Sequence, residues 1–159
     1  MKRAVFGLGF FLFSTPLSGS QTAEPLFTAT GAFIALSVRD VATSARWYRE
    51  MLGLRVVLVP PKSGDATAVI LEGGGLMVEL IQPDGAKPLG TVAPGVRGSV
   101  YVHGYFKAGL IVEDFDRTIA AIRARGIEIA FGPYPKSATQ RANAIIRDNA
   151  GNLIQFLGR

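Results

Sequence analysis

The sequence predicts an α+β fold built from two tandem βαβββ modules, and three observations carry that prediction. The first is a change of period between Phe33 and Leu52. Ile34, Leu36 and Val38 alternate with Phe33, Ala35 and Ser37, the two-residue period of a strand with two different faces. Val41, Ala45, Tyr48 and Leu52 then recur along one helical face, with Asp40 placed to cap the helix start and Gly53 to end it. The second observation is an internal repeat. Lys107 to Asp114 repeats Phe33 to Asp40 at an offset of 74, and Phe115, Ile119 and Ile122 take the places of Val41, Ala45 and Tyr48. Thr118 answers Ser44, Gly126 answers Gly53, and Gly151 to Leu157 repeats Gly75 to Ile81 at an offset of 76. The third is a stretch rich in proline and glycine between the copies, Gln82 to Ser99, which reads as a connector or as a lid over a site.

Residues 1–20 read as a secretory signal. Lys2 and Arg3 form a positive start, Ala4 to Phe13 an apolar run, and Ser18, Gly19 and Ser20 a small-residue cleavage site before Gln21. A spanning helix takes roughly 20 apolar residues, and Ser14, Pro16 and Ser18 interrupt the run before that. A retained N-terminal anchor is the competing reading, and both place the folded part outside the cytoplasm, in the periplasm or secreted. No stable membrane insertion is expected once the leader is removed. Cleavage removes two cations and no acid, so the net charge of +5 falls to +3. That balance, with no basic run interleaved with aromatics, excludes nucleic acid as an expected partner. Cysteine is absent, so export brings neither disulfides nor thiol chemistry.

Residues 21–30 are then an N-terminal extension and 31–159 a single two-module domain, large enough to fold on its own core. Module 1 spans 31–82, the linker 83–100 and module 2 101–158. In module 1 strands are expected over Phe33 to Val38, Leu54 to Val59, Ala66 to Leu71 and Leu76 to Ile81. Gly73, Gly74 and Gly75 make a hairpin between strands, so they are no phosphate cradle. Module 2 should place strands near Tyr105 to Val112, Glu128 to Phe131, Ala142 to Arg147 and Leu153 to Leu157.

Each module opens with strand and capped helix, Ser44 or Thr118 in its first turn. The second closes with Asp148-Asn149-Ala150-Gly151-Asn152 before a strand. With Val38, Arg39, Asp40 and Tyr48, these features resemble the vicinal oxygen chelate proteins, the group of glyoxalase I, bleomycin-resistance proteins and extradiol dioxygenases. The resemblance covers about Gly31 to Gly158. It implies that each module's strands curl into a half-barrel, together a half-open barrel around a cavity. It also implies a divalent-metal position made by one inward residue from the first and last strand of each module. Those positions here are Phe33, Glu79, Lys107 and Gln155. Only Glu79 is a usual ligand, and a catalytic metal wants about three His or carboxylate donors, so neither metal nor other cofactor is expected. Modules of this family pair within one chain or are exchanged between two, so a homodimer is one of two assemblies the resemblance allows.

A cavity without metal still has walls. Alternation puts Phe33, Ala35 and Ser37 on one face, with Met77 beside Glu79, Tyr105 beside Lys107 and Leu153 beside Gln155. This is an apolar wall carrying a few polar groups, the usual composition of a small-molecule pocket. Phe33, Ala35, Met77, Tyr105, Asn143 and Gln155 are the ligand-binding candidates. Glu79, lying in a strongly apolar strand, needs a partner if it is buried. It pairs with Lys107 across the cavity in place of a metal, acts as a general base while Lys107 steadies an oxyanion, or faces solvent or a partner module and does no chemistry. His103 joins them as a candidate acid or base if the strand through Tyr105 runs back unbroken, and is an exposed loop residue if it does not. Arg141 is a further candidate hydrogen-bonding group, and Trp47, off the core stripe of its helix, marks a contact between modules or subunits. Three function classes follow: a binding protein for an apolar or aromatic small molecule, a metal-independent lyase, isomerase or hydrolase, and a metal-dependent lyase or dioxygenase with atypical ligands.

Overall fold

A computed structural model describes Leu26 and residues 30–159. The expected signal peptide, and the extension apart from Leu26 and Thr30, lie outside the described residues. The elements follow in the order β1 (Phe33–Ser37), α1 (Val41–Leu52), β2 (Arg55–Leu58), β3 (Ala66–Gly73) and β4 (Leu76–Pro83), then a short helix α2 (Leu89–Val92) and a 3-10 turn (Ser99–Tyr101). The second module supplies β5 (Lys107–Val112), α3 (Phe115–Ala124), β6 (Ile129–Tyr134), β7 (Asn143–Arg147) and β8 (Leu153–Gly158). Two four-stranded sheets result, ordered β1-β4-β3-β2 and β5-β8-β7-β6. In each, the first strand of the module runs parallel to the last and the other pairs are antiparallel. This is the expected pair of βαβββ modules, half-open, with no closed barrel.

The repeat is reproduced down to the helix caps. Asp40 accepts from the Thr43 backbone N–H at 2.7 Å, and Asp114 from that of Arg117 at 2.9 Å. Each satisfies an orphan donor at a helix start. The Thr43 N–H also holds the Asp40 carboxyl below the ordinary carboxylate range. In the first module a second orphan is met from the sheet, where Gln82 Oε1 accepts from the Val41 N–H at 2.8 Å. Gly53 closes α1 at φ 72°, its N–H returning to the carbonyls of Arg49 and Tyr48, a conformation that costs a residue with a β-carbon. Gly74 and Gly75, at φ 57° and 81°, turn the β3–β4 hairpin.

Most strand limits differ from expectation by a residue or two, and those of β5, β2 and β6 bear on the site. Strand β5 begins at Lys107, not Tyr105, because its ladder partner β8 begins at Leu153, opposite Lys107, and offers nothing for Tyr105 and Phe106 to pair with. Strand β2 covers only Arg55–Leu58, with a register shift between Val56 and Leu58. Strand β6 runs on to Tyr134, past the expected end at Phe131. The connector forms the two short helical turns, and none of residues 83–106 is buried.

One apolar core serves both modules. Val41, Ala45 and Tyr48 of α1 lie over Leu71, Val78 and Leu80, while Ile119 and Ile122 of α3 join Ala144, Ile146, Ile154 and Phe156 in the same cluster. The modules therefore meet through their helix-bearing sides. A polar strut crosses that junction. The Tyr48 hydroxyl, fully buried, donates to Asp148 Oδ2 at 2.9 Å, and Asn149 Nδ2 donates to Ser44 Oγ at 3.3 Å. Asp148 also accepts from the backbone of Ala150 and Asn152 and from the Asn152 side chain, at 2.8 to 2.9 Å. Burial, then the Asp148 charge and hydrogen bond, push the Tyr48 hydroxyl far above its ordinary pKa. Arg125 Nη1 donates to the Met51 carbonyl at 2.7 Å and makes a second tie. Trp47 packs against the core edge-to-face with Tyr48, ring centroids 5.1 Å apart.

Candidate functional site

Because the helix-bearing face of each sheet is taken up by the core, the opposite faces are what remains for chemistry. On the first sheet the register sets Phe33 beside Met77, and Ala35 beside Glu79, with Ile70 on the other flank of Glu79. On the second sheet Lys107 lies beside Leu153, Gly109 beside Gln155 with Ile145 beyond it, and Asn143 beside Leu157. Partners in register share a face. The alternation argument thus assembles Phe33, Ala35, Met77 and Glu79 on one surface, and Lys107, Asn143 and Gln155 on another. It overlooked Ile70, Ile81, Ile111, Ile145 and Leu157, which extend these faces. The same two-residue period in β3, β4, β5, β7 and β8 is the signal that finds them.

Among the described residues nothing covers either face. Phe33 is 63% exposed, Met77 38% and Ile111 65%. Glu79 is half-buried while its neighbours Val78 and Leu80 are fully buried on the other side. The expected cost of a buried carboxylate therefore does not arise here. No ion pair among the described residues involves Glu79 or Lys107. Lys107 instead holds its ammonium 5.1 Å above the ring of its neighbour Phe106. Gln155 Nε2 donates to Asn143 Oδ1 at 3.4 Å, so those two candidates do meet.

His103 and Tyr105 lie before β5, in the exposed turn around Gly104, so the unbroken strand that would carry them beside Lys107 is absent. Desolvation raises the Tyr105 hydroxyl pKa. Arg141 precedes β7 and is exposed, and its carbonyl accepts from Asn143 Nδ2 at 3.2 Å. Two depressions lie at the margins of these faces, the second reaching Ile111. One of about 310 Å³ sits at the end of the first sheet and touches the candidate face through Met77, with Arg55 and Glu72 on its rim. The other, of about 490 Å³, lies between the end of α1 and α3, lined by Met51, Leu52, Ile122, Arg125 and Phe156 among others. Neither joins the two faces.

At the four positions where the resembled family places its metal, the donor set does not fit one. Phe33 offers no donor, Lys107 brings a cation and Gln155 an amide, which leaves a single carboxylate. Among the described residues no three His, Cys, Asp or Glu side chains come together. No helix among them is long and apolar enough to cross a membrane.

Comparison with known proteins bears on the fold. A domain from Frankia sp. EAN1pec, described as glyoxylase/bleomycin resistance protein/dioxygenase, superposes with a TM-score of 0.65 at 19% identity, over 83% of this chain and 93% of that one. TnmS3, an antibiotic binding protein from Streptomyces sp. CB03234, gives 0.57 at 20% identity over 82% and 96%. A mutant of FosX, the genomically encoded fosfomycin resistance protein of Listeria monocytogenes, solved with Mn(II) and 1S,2S-dihydroxypropylphosphonic acid, gives 0.56 at 12% identity over 82% and 93%. No functionally curated protein matches the sequence significantly. The family model for the Glyoxalase/Bleomycin resistance protein/Dioxygenase superfamily matches residues 32–156. Two βαβββ modules in this order, over nearly all of the described chain, make the protein a member of the glyoxalase/bleomycin resistance protein/dioxygenase superfamily.

Proposed function

We propose that the chain is an exported small-molecule-binding protein that holds an apolar or aromatic molecule against the open sheet faces, without a metal. The observation that carries this reading is the composition of those faces. Phe33, Ala35 and Met77 form an exposed apolar wall with Glu79 on the first face, and Asn143 and Gln155 are the sparse polar groups of the second, the mix by which a pocket gains affinity from apolar area and orientation from a few hydrogen bonds. The metal site is degenerate because three of its four positions lack a usual donor. The protein acts in the periplasm or after secretion, its leader removed before Gln21. Its partners are the ligand and a second copy of the chain, in a homodimer.

Native mass spectrometry of the protein purified without added metal tests this. The expected spectrum shows a chain beginning at Gln21, no metal that survives mild chelation, and an organic adduct that Phe33→Ala weakens. Stoichiometric metal after chelation, or an adduct indifferent to Phe33, would refute the reading. A second function has one observation in its favour: Glu79 stands half-exposed and, among the described residues, in no ion pair, which leaves its carboxylate open to a substrate proton. A metal-independent lyase or isomerase using Glu79, with Lys107 at the oxyanion, loses turnover in Glu79→Gln and keeps its ligand. A binding protein shows no turnover to lose.

A further inference from the structure

The end of the connector contributes nothing to the core, yet it is rich in apolar side chains. No residue between 83 and 106 is buried. Tyr101 is 64% and Tyr105 66% exposed, and Val100 and Val102 beside them are exposed as well. Neither of the two depressions is lined by a residue of this segment. Apolar side chains scattered singly over a surface need no explanation, but a cluster of this kind marks a surface with a partner.

The charges around the cluster have one sign. From 85 to 112 the chain carries Lys87, Arg97 and Lys107 and no aspartate or glutamate. Asp84, just before, is matched with Lys62 at 3.3 Å, and none of the three cations forms an ion pair among the described residues. Two of them stand over aromatic rings at the ends of the cluster. The Arg97 guanidinium lies 5.1 Å from the centre of the Tyr101 ring, and the Lys107 ammonium 5.1 Å from that of Phe106. Each couple is an amphipath, an aromatic body with a cation beside it.

We infer that this segment docks on the surface of an anionic phospholipid bilayer, with the side chains of Val100 to Tyr105 at the boundary between headgroups and acyl chains and Arg97 and Lys107 at the level of the phosphates. Charge complementarity selects the partner, since unmatched cations around an acid-free apolar tip suit a surface that is negative outside and apolar beneath. Tyrosine suits the boundary itself, where its ring leaves water and its hydroxyl stays wet. The backbone argues against a protein partner. It is a 3-10 turn (Ser99–Tyr101) followed by bends, and so presents neither a strand edge nor a helical stripe to be read. A bilayer boundary needs no such template. This goes beyond the proposed function and is independent of it, because the docking segment is separate from the sheet faces that hold the ligand.

The test is flotation with vesicles, using the chain from Gln21 onward because the apolar run Ala4 to Phe13 would bind lipid by itself. Circular dichroism confirms that each variant keeps its fold. The chain should bind vesicles of phosphatidylcholine with phosphatidylglycerol about tenfold or more better than phosphatidylcholine alone, and added salt should release it. Arg97→Glu should weaken binding to the anionic vesicles about tenfold or more. Tyr101→Ser together with Tyr105→Ser should weaken it about tenfold through lost apolar burial. None of these positions is buried, so no core contact is lost. Depth is read with Val100→Trp, whose emission should be quenched by brominated acyl chains. The parent, whose sole tryptophan Trp47 packs on the core, should show no quenching. A chain that floats with neither vesicle leaves the patch to a protein partner and overturns the inference. Binding that ignores lipid charge overturns it too, as does binding that survives both Arg97→Glu and the tyrosine changes, or a Val100→Trp emission that brominated lipid leaves untouched.

Discussion

Replacing Tyr48 by Phe removes one oxygen from the centre of the molecule. That oxygen donates the hydrogen bond that ties α1 of the first module to the turn before β8 of the second. The ring stays, so packing against Trp47 and the core is unchanged and the loss is confined to one bond to Asp148. A hydrogen bond to a charged group contributes about 1.5 to 3 kcal/mol. The lower part of that range applies, because Asp148 Oδ2 keeps the Asn152 amide and Oδ1 keeps two backbone donors. A loss of about 1.5 to 2 kcal/mol is expected. With a urea slope of about 2 kcal/mol/M for a domain of this size, the midpoint should fall by roughly 0.75 to 1 M at unchanged slope. The pH dependence gives a second readout with a definite sign. A hydroxyl whose pKa is raised in the folded state contributes stability that is intact below its unfolded value, about 10, and is lost as the pH rises beyond it. The unaltered protein should therefore weaken above about pH 10 more steeply than Tyr48→Phe. A midpoint within about 0.2 M of the parent at neutral pH, or parallel losses in alkali, would show that the strut does not hold the modules together.

Three further outcomes follow from the same coordinates. Asp40→Ala and Asp114→Ala should each lower the midpoint in urea titrations, since each removes an N-cap side chain. Gly158→Ala should cost about 1 to 3 kcal/mol, because a β-carbon there would meet Phe115 Cβ at 3.2 Å and Ala142 Cβ at 3.3 Å, both carried close to the backbone. Gly109→Ala, which meets nothing within 4 Å, should leave the folding stability within about 0.5 kcal/mol of the parent and serves as the control.

Local order was largely legible in the sequence. Asp40 and Gly53 were read as the ends of α1 from residue type and period alone, and they are its caps. The offset of 74 found the second module because a duplicated unit repeats its burial pattern along with its fold. Which residues share a sheet face also followed, since alternation is a property of the strand itself. What alternation cannot supply is where a face points. Phe33 and Lys107 were expected around one cavity, and in a single chain they stand on separate open surfaces because the core occupies the helix-bearing sides. The Tyr48–Asp148 bond was out of reach for a related reason. Both residues were singled out, one on a helical stripe and one in a turn motif, yet nothing in periodicity pairs positions a hundred residues apart. Tyr105 falls outside its strand because β5 starts where its partner β8 starts, at Leu153, and composition does not show where a ladder partner begins.

The strut also breaks the repeat it joins. At the positions equivalent to Tyr48 and Asp148 the other module carries Ile122 and Glu72, so the latch is built once and not twice. The connector, with no buried residue between 83 and 106, bears little of the attachment between the halves. A protease that cuts in that connector should sever the chain without parting its halves, and the nicked protein should run as one species until denaturant or strong alkali releases the latch.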